Sequence, residues 1–495
     1  MSIIRIIAVI LGLLVVTKVS AQEDAITLVP FENVTFGVQG VIPEGWQNAA
    51  PGVYARGASA TDATSIIVQS APMTVDALQG ILSSQLGVDT FPEAEGEVAT
   101  AFGTWSQYRI DNEAVGLSLS LALIEQDGTT YLVLLQSATD EHDSLRDTVF
   151  VPVLDSIMSL VAVSEEATEE SEVDLPYIEE TVTFENGDVT LAGTLSIPAE
   201  GDAFPVVVIF SGSGAQNRDG NLEPIAMIEP YADIADYLTR QGIAVLRYDD
   251  RGVGESTNSA DETDLLDIRD DGNAAVDYLA SRDEFTHIGI IGHSEGGVYA
   301  PEIALNNDAV DFVVGLNAPT VNLVEVTRLQ QRLMLEQAGV DAEEIETIDS
   351  AYAAMLDAVA SDDDDIIRDA VRDLVTAQSG GEVPNEATLN IYVAQITSAI
   401  FQSYIAYDTS SFWLALDVPT LAIFGERDLQ VSPEQSIPVI EGNNDNITIV
   451  TIPRMNHLLQ DAQTGSLEEY ATLEQTVMPE LLETVGAWIL EITAE

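Results

Sequence analysis

The chain has 495 residues, 46% of them hydrophobic, and no cysteine. A chain of this length divides into more than one domain, has apolar material for large cores, and holds neither a disulfide nor a thiolate metal site. Lys and Arg number 17 against 83 Asp and Glu, a formal net charge of −66, which makes nucleic acid and anionic membranes poor partners, since both bind through cationic patches.

Residues 1–21 read as an export signal. Arg5 is the basic start, Ile6 to Val16 is the apolar stretch, and Val19-Ser20-Ala21 is a small-residue cleavage site. The apolar stretch is shorter than the roughly 20 residues of a bilayer span. Lys18, the only lysine, sits between that stretch and the cut, so an uncleaved N-terminal anchor stays open as the one expected membrane contact. The expected location is exported, either periplasmic or extracellular. The acidic surplus then reads as a soluble surface suited to salt or to life outside the cell.

Residues 22–163 form an expected N-terminal α+β domain of unknown role. Short runs alternate apolar and polar residues at 34–38, 65–68 and 130–135, as half-buried strands do. Helical spacing appears over 74–86 and 141–160. His142, flanked by Asp140, Glu141 and Asp143, reads as part of a solvated helix start. Phe36-Gly37-Val38 followed by Ile42-Pro43-Glu44-Gly45-Trp46 resembles small α+β domains of the photosystem-P-protein-like kind. Residues 164–174, acidic and almost free of apolar side chains, read as a linker.

From 175 to 495 the pattern changes. Unbroken apolar runs at 206–210, 243–248, 287–291, 311–316, 420–424 and 447–450 alternate with helical patterns at 228–241, 264–281, 298–305 and 467–493. Such runs belong to a mostly parallel sheet covered on both faces, the doubly wound α/β class. Residues 319–416 interrupt the rhythm with an acidic helical stretch. Placed between two core strands, it is expected as a helical cap over the carboxyl ends of the sheet. Its run Asp362-Asp363-Asp364-Asp365 lacks the alternating spacing of a calcium loop and reads as a helix cap.

Gly292-His293-Ser294-Glu295-Gly296-Gly297 follows the run at 287–291 directly. A serine between glycines at a strand end is either a tight turn or a nucleophile elbow. A serine nucleophile needs a base. Of the four histidines, His142 lies in the other domain, His287 at the far end of its strand, and His293 beside the serine but turned from it. His457 follows the run at 447–450 and is the candidate base. The base needs a carboxylate to fix its tautomer. Asp428 follows the run at 420–424, with Glu426 as the fallback. The order Ser294, Asp428, His457 is that of α/β hydrolases. An oxyanion hole needs two backbone N–H groups. Glu295 supplies one, and Ser213, in Ser211-Gly212-Ser213-Gly214, is the candidate for the other.

These blocks, with Arg247-Tyr248-Asp249-Asp250-Arg251-Gly252-Val253-Gly254-Glu255-Ser256 and Gly425-Glu426-Arg427-Asp428, resemble the α/β-hydrolase superfamily. The likeness over 175–495 is to its bacterial esterase and serine-aminopeptidase-like branch, some of whose members carry an extra N-terminal domain. The resemblance implies Ser294 as nucleophile, Asp428 and His457 as its partners, and short-chain carboxylic esters as small-molecule substrates. Ser211 stands where many lipase-type relatives have His. Arg251 is expected to pair with Asp249 and Asp250 and hold their loop. The Glu295 carboxylate either orients a cationic or hydroxylated substrate or bonds a neighbouring loop. The expected activity is an exported carboxylesterase needing no metal or organic cofactor. A serine peptidase is the second reading, and a degenerate binding module the third.

Overall fold

The computed structural model describes residues 26–494 except 34–35, 51, 57–63, 72–73, 76–77, 80–81, 83–90, 113–115, 127, 160–174, 215, 222–227, 258–262, 338, 362 and 471. The expected export signal, the acidic linker and most of the expected helix at 74–86 lie outside the described residues. Contacts divide the chain into two compact units, residues 1–171 with 338–397, and residues 172–337 with 398–495.

The first unit contains a seven-stranded antiparallel sheet. Its order is Gln47–Ala50, Val53–Ala55, Ser65–Ala71, Thr129–Ala138, Leu117–Gln126, Thr104–Asn112, Gly96–Ala99. The alternating runs at 65–68 and 130–135 are strands. Of the run at 34–38, residues 34–35 lie outside the described residues, Phe36 and Gly37 form a turn in which Gly37 takes φ +60°, and Val38 starts the strand Val38–Pro43. The helical pattern over 141–160 folds as Thr139–Leu145, a wide turn at Arg146–Phe150, and Val151–Ser156. Pro152, in the first turn of the last piece, has no N–H to continue the ladder.

His142 is not on a solvated helix start. It is fully buried, with Nε2 2.8 Å from Ser120 Oγ and Nδ1 2.7 Å from Ser137 Oγ. Two serines on adjacent inner strands suit a neutral imidazole, which has one donor and one acceptor. Burial, and then the Arg109 guanidinium, hold its pKa below the ordinary histidine value.

The second unit is built on an eight-stranded sheet. In chain order its strands are β1 (Tyr177–Asn186), β2 (Val189–Pro198), β3 (Phe204–Phe210), β4 (Ala244–Tyr248), β5 (Phe285–His293), β6 (Phe312–Leu316), β7 (Thr420–Gly425) and β8 (Ile447–Ile452). Spatially they run β1-β2-β4-β3-β5-β6-β7-β8, with β1 and β2 antiparallel and the rest parallel. The expected doubly wound sheet is therefore present. Among the described residues from 177 onward the helices are α1 (Pro230–Arg240), α2 (Leu265–Ala280), α3 (Gly296–Asn306), α4 (Leu323–Gln337), α5 (Ala342–Val359), α6 (Asp364–Gln378), α7 (Glu386–Ile396), α8 (Ala399–Ala406), α9 (Thr409–Ala415), α10 (Pro433–Ile440) and α11 (Pro479–Ile492), with a single helical turn at Leu467–Tyr470; α5 to α7 fall in the first unit and the others in the second.

Both faces of the sheet are covered, which explains the unbroken apolar runs. In β3, Val206, Val208 and Phe210 join a core with Val276 of α2 and Ile303 of α3. The alternate residues Val207 and Ile209 join a second core with Leu238 of α1 and Ile489 of α11. The helical pattern expected over 467–493 is broken between Tyr470 and Pro479, where the proline starts α11. Helices α4 to α9 fill the insertion between β6 and β7. Its expected single cap is divided, because 338–397 group with the first unit while α4, α8 and α9 stay with the sheet. Asp363 caps α6 by accepting from the N–H groups of Asp365 and Ile366, as the Asp run suggested.

Two stability effects follow. In the unfolded chain His142 protonates at about pH 6.5, and in the folded chain only at lower pH. Its contribution is present above about pH 6.5 and lost as pH falls from there toward the folded pKa. Denaturant unfolding at pH ~7.5 and pH ~5 should show His142→Gln flattening this loss. The net charge of −66 makes folding work against self-repulsion. Raising NaCl from 0.15 M to 1 M shortens the screening length from about 8 Å to about 3 Å and should raise the thermal midpoint; an unchanged midpoint would show that repulsion is not limiting.

Candidate active site

Strand β5 delivers Ser294 into a left-handed conformation, φ +51°. For a residue with a Cβ this costs about 1–2 kcal/mol, and α3 begins two residues later. The flanking glycines serve close approach, not positive φ. A Cβ on Gly292 would lie 2.7 Å from Gly296 O, and one on Gly296 would lie 2.3 Å from Phe210 O. The backbone is held from both sides. Ser294 N–H donates to Leu316 O at 3.0 Å, and Gly297 N–H donates to Ser294 O at 2.9 Å. The short motif is thus a strand–elbow–helix, not an ordinary turn.

The structure brings Ser294, His457 and Asp428 together. His457 Nε2 is 3.0 Å from Ser294 Oγ, and its Nδ1 is 2.8 Å from Asp428 Oδ2. Since a carboxylate accepts, Nδ1 carries the proton and Nε2 presents its lone pair to the serine hydroxyl. Asp428 Oδ1 accepts from the N–H groups of Gln430 (2.7 Å) and Val431 (2.9 Å), so the carboxyl is fixed from both oxygens. All three side chains are buried. The fallback acid, Glu426, is exposed. Gly425 allows the acid and base loops to touch: a Cβ there would meet Met455 O at 2.3 Å.

The loop after β3 runs past the serine. A Cβ on Gly212 would lie 3.4 Å from Ser294 Cβ. Ser213 is exposed at this edge, and among the described residues nothing accepts its N–H. Glu295 follows the serine as the residue preceding α3, so its N–H is one peptide from the hydroxyl. Ser211, at the histidine position of lipase-type relatives, donates its hydroxyl to Asp250 Oδ1 at 2.7 Å. Asp250 Oδ2 accepts the Gln216 N–H at 2.8 Å, which closes the loop on itself.

The Glu295 carboxylate accepts the hydroxyl of Tyr404 on α8, the neighbouring-element alternative. Arg251 does not pair with Asp249 and Asp250. It holds Asp271 of α2 at 2.6 Å and 2.8 Å, while Arg218 takes Asp249 at 2.6 Å. Asp249 and Asp250 are engaged by Arg218 and by Ser211 and Gln216, and the arginine instead pins α2 through Asp271, which is buried with it.

Two residues that the sequence did not single out complete the site. Asn317, at the end of β6 with φ +46°, accepts the Gly425 N–H at 2.8 Å and donates to Asn456 O at 3.0 Å. Tyr231 lies in the first turn of α1 and meets His293 Nδ1 at 3.0 Å. Neither sits in a motif, and only the fold makes them neighbours of the serine. Among the described residues no group of three or more acidic or histidine side chains is placed to hold a metal ion, and no helix is long and apolar enough to cross a membrane.

Residues 226–379 match the serine aminopeptidase S33 family. The esterase EstD of Thermotoga maritima is 27% identical over 326 residues, which span 65% of this chain and 71% of that protein. Among solved structures, the Pyrococcus furiosus esterase Pf2001 aligns at 17% identity over 64% of this chain and 91% of its own, with a TM-score of 0.38. Est1E of Butyrivibrio proteoclasticus with ferulic acid bound aligns at 18% identity over 63% and 100%, with a TM-score of 0.39.

The elbow strain is measurable. Ser294→Gly should be more stable than Ser294→Ala by roughly 0.5–1 kcal/mol, the left-handed penalty less the extra chain entropy of glycine. Both variants lack the hydroxyl, so denaturant unfolding isolates the backbone term, and a glycine variant less stable than the alanine variant by its full entropy cost, about 0.5–1 kcal/mol, would show that the elbow stores no strain.

Proposed function

We propose that this α/β-hydrolase, similar in sequence to an esterase, is an exported serine carboxylesterase acting on short-chain esters. The observation that carries the reading is the uninterrupted line from Asp428 through His457 to Ser294 Oγ, at 2.8 Å and 3.0 Å. His457 Nε2 takes the Ser294 proton as Oγ attacks the ester carbon. The developing oxyanion lies against the N–H groups of Ser213 and Glu295. The tetrahedral adduct collapses, the C–O bond to the alcohol breaks, and the imidazolium returns its proton to the leaving alkoxide. Water, deprotonated by the same Nε2, then hydrolyses the acyl-enzyme and frees the acid. Asp428 stays ionised and steadies the imidazolium. No step calls for a metal or organic cofactor. Export rests on the composition of residues 1–21 alone.

Amide cleavage is the second reading, favoured by the serine aminopeptidase match over 226–379. Aminoacyl anilides separate the two, since a peptidase turns them over and an esterase does not.

The test is hydrolysis of p-nitrophenyl acetate and butyrate. Ser294→Ala and His457→Ala should each lower kcat by about 10⁴–10⁶. A parent active on anilides but not on esters would move the assignment to the peptidase. Equal activity in the parent and Ser294→Ala would remove the elbow from the mechanism.

A further inference from the structure

We propose that Tyr231 and His293 are positioning residues that set the oxyanion loop against the nucleophile, through one directional hydrogen-bond chain from Gly212 N–H to the carbonyl of His457. The proposal rests on the esterase reading of the site.

The direction of every bond follows from the partners. His293 Nε2 is 2.9 Å from His457 O, which can only accept, so Nε2 carries hydrogen. Burial pushes the His293 pKa down to about 3, so the ring is neutral and Nδ1 is a bare acceptor. The Tyr231 hydroxyl, 3.0 Å away, therefore donates to Nδ1. Burial also holds that phenol protonated, far above the ordinary tyrosine range. Its oxygen is left to accept, and Gly212 N–H donates to it at 2.8 Å. Tyr231, His293 and Gly212 are all buried, where such a chain is stiffer than in water and an unmade bond costs more.

The ends of the chain matter. One end is the base residue's own carbonyl. The other is the residue before Ser213. The Ser213 carbonyl is held from the opposite side by Gln216 Nε2 at 3.2 Å. The Ser213 N–H thus lies between two anchors, Tyr231 on Gly212 N–H and Gln216 on Ser213 O. Gly212 fits this place because a Cβ would come within 3.5 Å of His293 Nδ1 and 3.4 Å of Ser294 Cβ. Removing the phenol oxygen leaves Gly212 N–H and His293 Nδ1 without partners and releases one anchor of the peptide that aims at the oxyanion. The loss should appear at the oxyanion and not at the base.

The experiment compares Tyr231→Phe with the parent on a p-nitrophenyl ester and its matched thionoester, in which sulfur replaces the carbonyl oxygen. A thiocarbonyl sulfur is a poorer acceptor of N–H hydrogen bonds, so its hydrolysis depends less on the oxyanion hole. Rates are referred to sites titrated to completion with a fluorophosphonate, which discounts misfolded protein. Tyr231→Phe should lower kcat on the ester by on the order of 10–100-fold, below the roughly 10²–10³ for removing a donor outright. KM should change little, the thionoester rate should fall only a few-fold, and the acid limb of the pH–rate profile should stay in place. Should Tyr231→Phe fail to accumulate, His293→Gln interrupts the same chain and faces the same comparison. Equal losses on both substrates, a displaced acid limb, or no loss would each overturn the proposal. A parent that hydrolyses neither substrate, or is matched by Ser294→Ala, would overturn the esterase reading itself, and this proposal with it.

Discussion

The site depends on one constraint, the crowding of backbone at the end of β5. Ser294 must be left-handed for its side chain to leave the sheet, and the chain must turn at once into α3. That is feasible only if Gly292 backs onto Gly296 and Gly296 onto Phe210 O, at distances no Cβ tolerates. The strain of about 1–2 kcal/mol is small beside the burial that opposes its release. β5 lies between β3 and β6 in the sheet, and its residues Ile290 and Ile291 are fully buried on opposite faces. A central strand cannot shift register to relax one residue without turning its apolar side chains to the wrong faces.

The partners of Ser294 come from loops distant in sequence, and one amide gathers them. Asn317 N–H donates to Ile423 O at 2.8 Å, extending the pairing of β6 with β7 by one bond. Its side chain accepts from Gly425 and donates to Asn456 O. The loop carrying Asp428 and the loop carrying His457 are thereby referred to the strand end whose Leu316 O binds Ser294 N–H. A buried amide suits this because it donates and accepts at once, and a hydrophobic residue of equal size would leave Gly425 N–H unpaired and Asn456 O with the Leu459 N–H as its one remaining donor.

How far the sequence led varies with the range of the interaction. The parallel strands were legible because both faces are covered and their runs are unbroken. β1 and β2 were missed. They lie at an edge, and β1 alternates buried and exposed residues. Their sign was the two-residue turn Gly187-Asp188, with Gly187 at φ +62°. Ser294, Asp428 and His457 could be chosen because each follows a strand, and strand ends of one parallel sheet share an edge. Arg251 was paired wrongly because its nearest acids in sequence already serve others: Asp249 holds Arg218 and Asp250 holds Ser211. His142 was misjudged because three flanking acids outweighed the two serines it meets across strands. Asn317 and Tyr231 leave no local trace, since their partners lie up to 140 positions away.

The carboxylate of Glu295 shows how the insertion is tied back to the sheet domain at its C-terminal end. Tyr404 on α8 and Tyr407 just after it, three apart, donate to Glu295, the residue before α3, and Glu302 within α3, seven apart. Spacings of three and seven both return to the same helix face, so the two bonds form side by side. Thr409 adds a third tie, its hydroxyl donating to Val298 O at 2.8 Å. Glu302 also holds Arg269 of α2 at 2.9 Å, and the Ser403 hydroxyl accepts the Leu265 N–H at the start of that helix. The chain thus re-enters the sheet domain fastened to the nucleophile's helix and its neighbour. In so acidic a protein, phenols do this work well: a tyrosine gives a carboxylate a hydrogen bond without needing a cation, and this chain has only 17 of those.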